Sequence, residues 1–235
     1  YFQWMWLEDM IAAGALAEGA DQFNSLHDKL VAALKDYDRG RRYRLHLACA
    51  GESEEDRETI AYLAECAKQA GQQAHCLAIE DVGLNADGAF VDENDQAIKV
   101  LFKLYPWEWM LGEEYGRKIA GSSLRFIEPI WKSLLSTKGL LPYLWEMAPG
   151  HPNLLECYFS DDARAAKIGN HHVVKPLLSR EGANVEVHDG PASVRTDGPY
   201  TGPTIVQALA PLFSAEGCHA VVGSWLVASE PAGLC

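Results

Sequence analysis

The sequence lacks the features that would assign it at once to several common classes of protein. Its six cysteines form no Cys-x-x-Cys pair, and no apolar run is long enough for a membrane helix. Basic residues are scarce, with 20 Lys and Arg against 33 Asp and Glu, and the net charge is −13. This balance argues against a nucleic-acid or anionic membrane partner and permits a cationic ligand. The dispersed cysteines predict a reduced, cytoplasmic protein.

Internal repeats and low-complexity segments are also missing, so the 235 residues predict one large domain or two small ones. With 48% hydrophobic and 23% charged residues, the chain has the composition of a globular protein with a buried core. The sequence has no initiator Met and begins and ends abruptly, at Tyr1 and Cys235. We therefore expect it to be a piece of a longer protein, truncated at both ends.

The first eighty residues carry the pattern of a β-α-β unit that follows a helical start. Residues 1–40 have apolar residues at helical spacing, and residues 45–50 form a short apolar run typical of a strand. Ser53 is placed to cap a helix that Gly71 ends, and residues 74–79 resume a strand. The pattern predicts two parallel strands joined by a right-handed crossover.

The remaining residues alternate short strands with turns and brief helices. The turn sequences at 85–88 and 92–95 predict hairpins, and the acidic residues of the second turn are expected to face solvent. Helices are predicted after Pro106, at 130–135 and at 138–147, and strands at 98–104, 124–127, 171–178, 184–188, 204–212 and 219–228. Early βα material followed by strand-rich segments indicates an α+β or mixed α/β fold.

Two segments that contain lysine are the strongest candidates for chemistry, and the first surrounds Lys175. This lysine ends an apolar strand, and the loop from Ser179 to Ala183 then turns back into another strand. Loop N–H groups, together with Lys175 and Arg180, can hold an anionic phosphate chain. The segment matches neither of the common glycine-rich phosphate loops, so an ordinary β-hairpin is the alternative interpretation.

The second segment surrounds Lys138. Thr137 is placed to cap a helix, which puts Lys138 in the first turn, where a cation opposes the helix dipole. A cation in an unfavourable position indicates an anionic ligand, and the alternative is a solvated lysine at a helix end.

These segments and several others resemble one family, in order, along nearly the whole chain. The matching stretches are Gln3-Trp4-x-Trp6-Leu7-Glu8-Asp9, Glu128-Pro129-x-Trp131-Lys132, and residues 21–27, 138–142, 149–155, 173–185, 207–209 and 223–233. They resemble the synthetase portion of the glutathionylspermidine synthase family of ATP-grasp-type carboxylate–amine ligases, and within it the stand-alone acid–amine ligase branch. The resemblance implies an ATP-grasp-like fold, with a pre-ATP-grasp portion at residues 1–122 and a nucleotide-binding portion at residues 123–235.

The same resemblance implies roles for individual residues. Arg180 resembles the residue near the reacting end of the nucleotide and the acidic substrate, and it is the catalytic candidate. Lys138 and Lys175 resemble the lysines that hold the nucleotide phosphates. Ser179, Glu181 and Gly182 lie in the loop that resembles the flap closing over ATP. Gln207, with the backbone of Ala208 and Leu209, resembles the hinge that binds the adenine.

The implied chemistry has two steps and uses ATP and Mg²⁺. ATP would phosphorylate a carboxylate, and an amine would attack the acyl phosphate to give an amide, ADP and phosphate. The implied substrates are a peptide-like acid and an amine such as a polyamine. In this family the Mg²⁺ ligands precede the Gln-Trp-x-Trp segment and a further arginine follows the last matching segment. We therefore expect them before Tyr1 and after Cys235, and we expect nucleotide binding without full catalysis from this chain alone.

Other interpretations stay open at this point. A nucleotide- or small-molecule-binding module without catalysis would carry the same motifs, whereas an unrelated α/β domain would bind no nucleotide. A thiol hydrolase is disfavoured because His46 and Cys49 are predicted on opposite faces of one strand. A zinc site at His171 and His172 is disfavoured because no paired ligand spacing accompanies them.

Overall fold

The computed structural model describes residues 2–22, 24–38 and 43–234. These residues divide into two compact units, one of Tyr1–Ile130 with Val221–Cys235 and one of Trp131–Ala220. Residues 1, 23, 39 and 40 of the predicted helical start lie outside the described residues. Among the described helices, none combines the length and the apolar character needed to cross a bilayer.

The secondary structure is mixed α/β. The α-helices are α1 Phe2–Ala12, α2 Leu26–Asp38, α3 Glu54–Gln69, α4 Trp107–Met110, α5 Gly116–Ile119, α6 Ser133–Ser136 and α7 Leu140–Met147. The strands are β1 Leu45–Cys49, β2 Ala74–Ala78, β3 Gly83–Leu84, β4 Phe90–Val91, β5 Val100–Leu104, β6 Arg125–Ile127, β7 Cys157–Phe159, β8 His171–Pro176, β9 Glu186–Asp189, β10 Ala192–Arg195, β11 Thr204–Ala208, β12 Ser214–Ala215, β13 Cys218–His219, β14 Ser224–Val227 and β15 Glu230–Leu234.

A parallel sheet is the centre of the first unit, with strands in the order β2-β1-β5-β6. All five residues of β1 are buried, as expected for a central strand covered on both faces. One face packs Leu45, Leu47 and Cys49 against α3, and the other packs Ala48 against β2, β4 and β5. The predicted parallel pair joined by a helix is confirmed.

Local signals explain where α3 begins and ends. The Ser53 hydroxyl accepts a hydrogen bond from the Asp56 N–H at 3.2 Å, so the predicted N-cap is confirmed. Acidic residues fill the first turn, where they interact favourably with the helix dipole. Gly71 adopts a left-handed φ of 85° just past the helix, a conformation that glycine reaches without strain.

The two turns predicted between β2 and β5 are present. Asn85 Oδ1 accepts from the N–H groups of Asp87 and Ala89 in the turn between β3 and β4. In the second turn, Asp92 Oδ1 accepts from the N–H groups of Asn94 and Gln96. The expectation that all acidic residues of this turn face solvent is wrong, because Asp92 is only 3% exposed.

An antiparallel sheet is the centre of the second unit, with strands in the order β10-β9-β8-β11-β7. Helix α7 packs on β7, where the rings of Tyr143 and Phe159 meet edge to face with centroids 5.5 Å apart. Cys157 and Ile205 are fully buried in this sheet. The edge strands β7 and β10 had no predicted counterpart, because they are short and lack a clear alternation of apolar and polar residues.

The two last predicted strands are wrong in extent. Strand β11 ends at Ala208, well before residue 212, and the next residues lead into Pro211, which cannot donate to a ladder. Residues 219–228 are divided between β13 and β14, and β15 follows after a two-residue turn. Ala228 and Ser229 both have positive φ there, of 50° and 70°, as a type I′ hairpin requires.

Candidate functional site

Strands β8 and β11 bring Lys175 and Gln207 onto one face of the antiparallel sheet. Lys175 pairs with Ile205 and Val173 pairs with Gln207 in the register, so the four side chains share a face. The Lys175 ammonium donates a hydrogen bond to Gln207 Oε1 at 2.9 Å. Burial lowers the pKa of Lys175, with the nearby Cys157 thiol opposing that effect. The lysine is thus held in place at an energetic cost.

Lys138 reaches the same end of β8 from the segment before α7. Its backbone N–H donates to the Leu177 carbonyl at 2.8 Å. Its ammonium contacts both the carbonyl oxygen and the hydroxyl of Ser179, the latter at 3.1 Å, and Ser179 is buried. The predicted cap is wrong: Gly139 is the N-cap, Thr137 Oγ1 accepts from the Gly139 N–H, and Lys138 precedes the first turn.

Three cationic side chains therefore interact at one place. Burial is the main cause that lowers the pKa of Lys138, and the positive charges of Lys175 and Arg180 lower it further. Arg180 is exposed on the loop that follows β8. The two positive charges that act on Lys138 favour an anion beside it, because the anion offsets both the repulsion and the cost of burial.

The loop after β8 has backbone conformations that suit a tight reversal. Glu181 and Gly182 have left-handed φ values of 52° and 72°, and the Ala183 N–H donates to the Arg180 carbonyl at 2.9 Å. The predicted flap residues Ser179, Glu181 and Gly182 thus stand in one turn. Its first residue is buried and the other two are exposed.

A later segment, which carries no motif that predicts this role, braces the loop. Thr196 Oγ1 accepts from the Val185 N–H at 2.9 Å and lies 2.5 Å from the Gly182 carbonyl, to which its hydroxyl can donate. Asn184 Oδ1 accepts from the Tyr200 N–H at 2.8 Å. The Asp-Gly-Pro sequence at 197–199 marks a turn but says nothing about what the turn touches.

Glycine at position 198 is required by close packing against the braced loop. A Cβ atom there would lie 2.5 Å from Asn184 Oδ1 and 2.6 Å from Ala183 Cβ. The Ala183 Cβ is fixed to the backbone, and the Asn184 amide could move only by losing its hydrogen bond from the Tyr200 N–H, so a larger residue would displace the loop.

The hinge residues are already engaged in the sheet. The Ala208 N–H donates to the Glu156 carbonyl at 2.8 Å, and the Leu209 N–H donates to the His171 carbonyl at 3.0 Å. Gln207 is 8% exposed, and Cys157 stands opposite it in the register. A carbonyl oxygen has two lone pairs, so the carbonyls of this segment retain acceptor capacity that its N–H groups lack.

The described residues do not bring together a thiol–histidine pair from His46 and Cys49 or a zinc site at His171 and His172. Cys49 packs against α3, whereas the His46 ring contacts Asp92 on the other face of the sheet, as the spacing predicts. His171 Nδ1 lies 2.6 Å from Asp189 Oδ1, and His172 Nδ1 lies 2.7 Å from the Gly169 carbonyl oxygen, to which it can donate. Within the described ranges, neither histidine belongs to a group of three metal-ligating side chains.

Comparison with known proteins gives one consistent result. All of residues 1–235 match the family model described as "Glutathionylspermidine synthase preATP-grasp". A Haemophilus influenzae protein named "Putative acid–amine ligase" is 38% identical over 243 residues, which cover 99% of this chain and 61% of that protein. The bifunctional glutathionylspermidine synthetase/amidase of Escherichia coli is 24% identical over 256 residues, covering 97% of this chain and 40% of that protein.

A trypanothione synthetase from Crithidia fasciculata is 24% identical over 222 residues, which cover 83% of this chain and 33% of that protein. This chain therefore spans less than two thirds of the length of each of these relatives. Because the family model matches all 235 residues of this chain, the resemblance that the motifs carry is confirmed: the chain belongs to the glutathionylspermidine synthase family.

Proposed function

We propose that this chain supplies the nucleotide-phosphate site of an ATP-dependent carboxylate–amine ligase. The observation that supports the proposal is the meeting of Lys138, Lys175 and Arg180 at the end of β8. Two of these cations are partly buried, a costly arrangement that a triphosphate would offset. The names of the relatives, ligases and synthetases, favour the same class of reaction.

The proposed reaction proceeds in two steps. An oxygen of the substrate carboxylate attacks the γ-phosphorus of ATP, the bond to the bridging oxygen breaks, and ADP leaves. The amine nitrogen then attacks the acyl carbon, phosphate leaves with the bonding electrons, and the nitrogen loses a proton to give the amide. The first step gathers negative charge at the transferring phosphoryl group and the second at the departing phosphate, so positioned cations lower both barriers.

Each residue of the site has a role in this scheme. Lys138 and Lys175 hold the phosphate oxygens, and Arg180 lies at the transferring end beside the acid. The loop of Ser179, Glu181 and Gly182 closes over the nucleotide and excludes water, which would otherwise hydrolyse the acyl phosphate. Mg²⁺ would neutralise further phosphate charge, and no side chain of this chain is assigned to it.

The adenine is proposed to lie along Gln207, Ala208 and Leu209. Because the N–H groups of Ala208 and Leu209 are bonded within the sheet, their carbonyl oxygens are the groups left to accept from the adenine amino group. We also propose that the chain has an ATP-grasp architecture with a domain boundary near residue 122, and that it is located in the cytoplasm. The proposed substrates are a peptide-like acid and an amine such as a polyamine.

A thermal titration with ADP and Mg²⁺ tests the nucleotide site. A ligand at 100-fold over its Kd stabilises the folded state by about 2.7 kcal/mol, which raises Tm by several degrees in a chain of this size. Phosphate release from ATP by the full-length protein, in the presence of an acid and an amine, then tests the reaction, because this chain alone is expected to bind the nucleotide without full catalysis. An ADP shift without acid- and amine-dependent release would support a binding module, and the lack of any shift would refute the phosphate site.

A further inference from the structure

Three potential metal ligands meet in the first unit, unconnected with the proposed nucleotide site. They are His75 on β2, and Asp92 and Glu93 in the turn after β4. One ligand atom from each lies within 4.8 Å of the others, and His75 Nε2 is 2.8 Å from Glu93 Oε1. The residues are buried to different degrees: Asp92 is enclosed, His75 is half-buried and Glu93 is exposed.

Asp92 is fixed in place by its surroundings. Its Oδ1 atom accepts from the N–H groups of Asn94 and Gln96, at 3.0 and 2.9 Å. Its Oδ2 atom lies 3.2 Å from Nε2 of His46 on β1. Metal-ligating carboxylates are commonly held by such partners, which orient the oxygen that faces the ion.

His46 lies against this group from the neighbouring strand. The side chain is 2% exposed, its ring centroid lies 5.5 Å from that of His75, and the two residues are direct neighbours across β1 and β2. Its Nδ1 atom has no hydrogen-bond partner among the described residues. Because Nε2 faces Asp92, this unpartnered nitrogen lies on the far side of the ring from the three ligands. The contribution of His46 to the group is the contact that holds Asp92.

We propose that His75, Asp92 and Glu93 bind one Zn²⁺ ion, with His46 as the residue that positions Asp92. One imidazole nitrogen and two carboxylate oxygens form a ligand set typical of first-row transition metals, whereas Mg²⁺ prefers oxygen ligands alone. Three protein ligands leave a coordination position for water. The ion would tie the edge strand β2 to the turn that follows β4, and so would act as a structural clip.

The surface offers a matched control for this proposal. His171 and Asp189 make a similar contact in the second unit, 2.6 Å between Nδ1 and Oδ1, and both are exposed. Within the part of the chain that the structure describes, no third ligand joins them. A histidine–carboxylate pair alone should not hold zinc, so the pair separates a built site from an ordinary surface contact.

The test is equilibrium dialysis of the chain against Zn²⁺ in the presence of excess Mg²⁺. We expect one Zn²⁺ per chain and a rise in Tm of several degrees at saturation. His75→Asn and Glu93→Gln should each weaken binding by at least about tenfold and abolish the Tm rise. His171→Asn should bind like the unmodified chain, and so should Cys76→Ser, which removes the exposed thiol beside His75.

Two results would overturn the proposal. One is the lack of a stoichiometric Zn²⁺ equivalent in the unmodified chain. The other is unchanged affinity in His75→Asn and Glu93→Gln. Tm values measured in chelator show whether these variants fold, since both side chains are at least partly accessible. The ADP titration is independent of this outcome, because it concerns residues of the second unit.

Discussion

Replacing Lys175 by methionine separates a role in binding from a role in folding. Methionine keeps an unbranched stem of similar length in the sheet and removes only the ammonium, which donates to Gln207 at 2.9 Å. Burial lowers the pKa of Lys175, which means that the folded state carries this charge at a cost near neutral pH. The variant should therefore have a Tm in the absence of nucleotide that equals or exceeds that of the unmodified chain.

Nucleotide affinity should change in the opposite direction. A hydrogen bond from a charged donor contributes about 1.5–3 kcal/mol, so the loss of one phosphate contact should raise the Kd for ADP by about 10- to 150-fold. Calorimetric titration with ADP and Mg²⁺ measures the Kd directly, and thermal unfolding measures the Tm. Stability maintained or gained while affinity is lost is the pattern of a residue placed for function.

The control is Lys167→Met, which removes an exposed lysine from the same unit. Because an exposed cation away from the site contributes little, its effect on the Kd for ADP should be within about threefold. Equal losses in the two variants would mean that only the net charge matters. Unchanged affinity in Lys175→Met would refute the assignment of this lysine to the phosphates.

The remaining predictions address the loop and the buried thiol. In the full-length protein, Arg180→Ala should reduce the rate of phosphate release by about 100-fold or more while leaving ADP affinity within about threefold, and equal losses would contradict a separate catalytic role. Gly198→Ala should cost about 1–3 kcal/mol in urea unfolding, because its Cβ would lie 2.5 Å from Asn184 Oδ1. Burial raises the pKa of Cys157 to about 11, so this thiol should resist a disulfide reagent at about pH 8 while exposed Cys218 reacts. Mass spectrometry of the labelled chain checks this order, and early labelling of Cys157 would contradict it.

The sequence is sufficient to predict those elements whose signals are local. Four of the five residues of the first strand are apolar, Ser53 caps the next helix and Gly71 ends it, so the β-α-β unit follows from neighbouring residues. Where the deciding contact is distant, the prediction fails. Thr137 looks like an N-cap, but the backbone of the next residue pairs with Leu177, and the helix begins later.

The candidate site could be named but not assembled from the sequence. The resemblance to the family pointed to Lys138, Lys175 and Arg180, whereas their approach depends on the pairing of distant segments. Thr196 carries no motif and was missed for this reason. The acidic turn after β4 was interpreted as solvated, because nothing in its own residues reveals that His46 covers Asp92.

The contacts of Lys138 link the phosphate site to the loop beside it. Its ammonium bonds to Ser179, the first residue of that loop, while its backbone N–H donates to the carbonyl of Leu177, two residues earlier. An ammonium has three donors, so a phosphate oxygen can join these contacts or replace one of them. In either case the charge that we propose to hold the nucleotide also holds the base of the loop. Nucleotide binding and loop position are then coupled through one side chain, and the Thr196 contacts at the far end of the loop limit how far it can move.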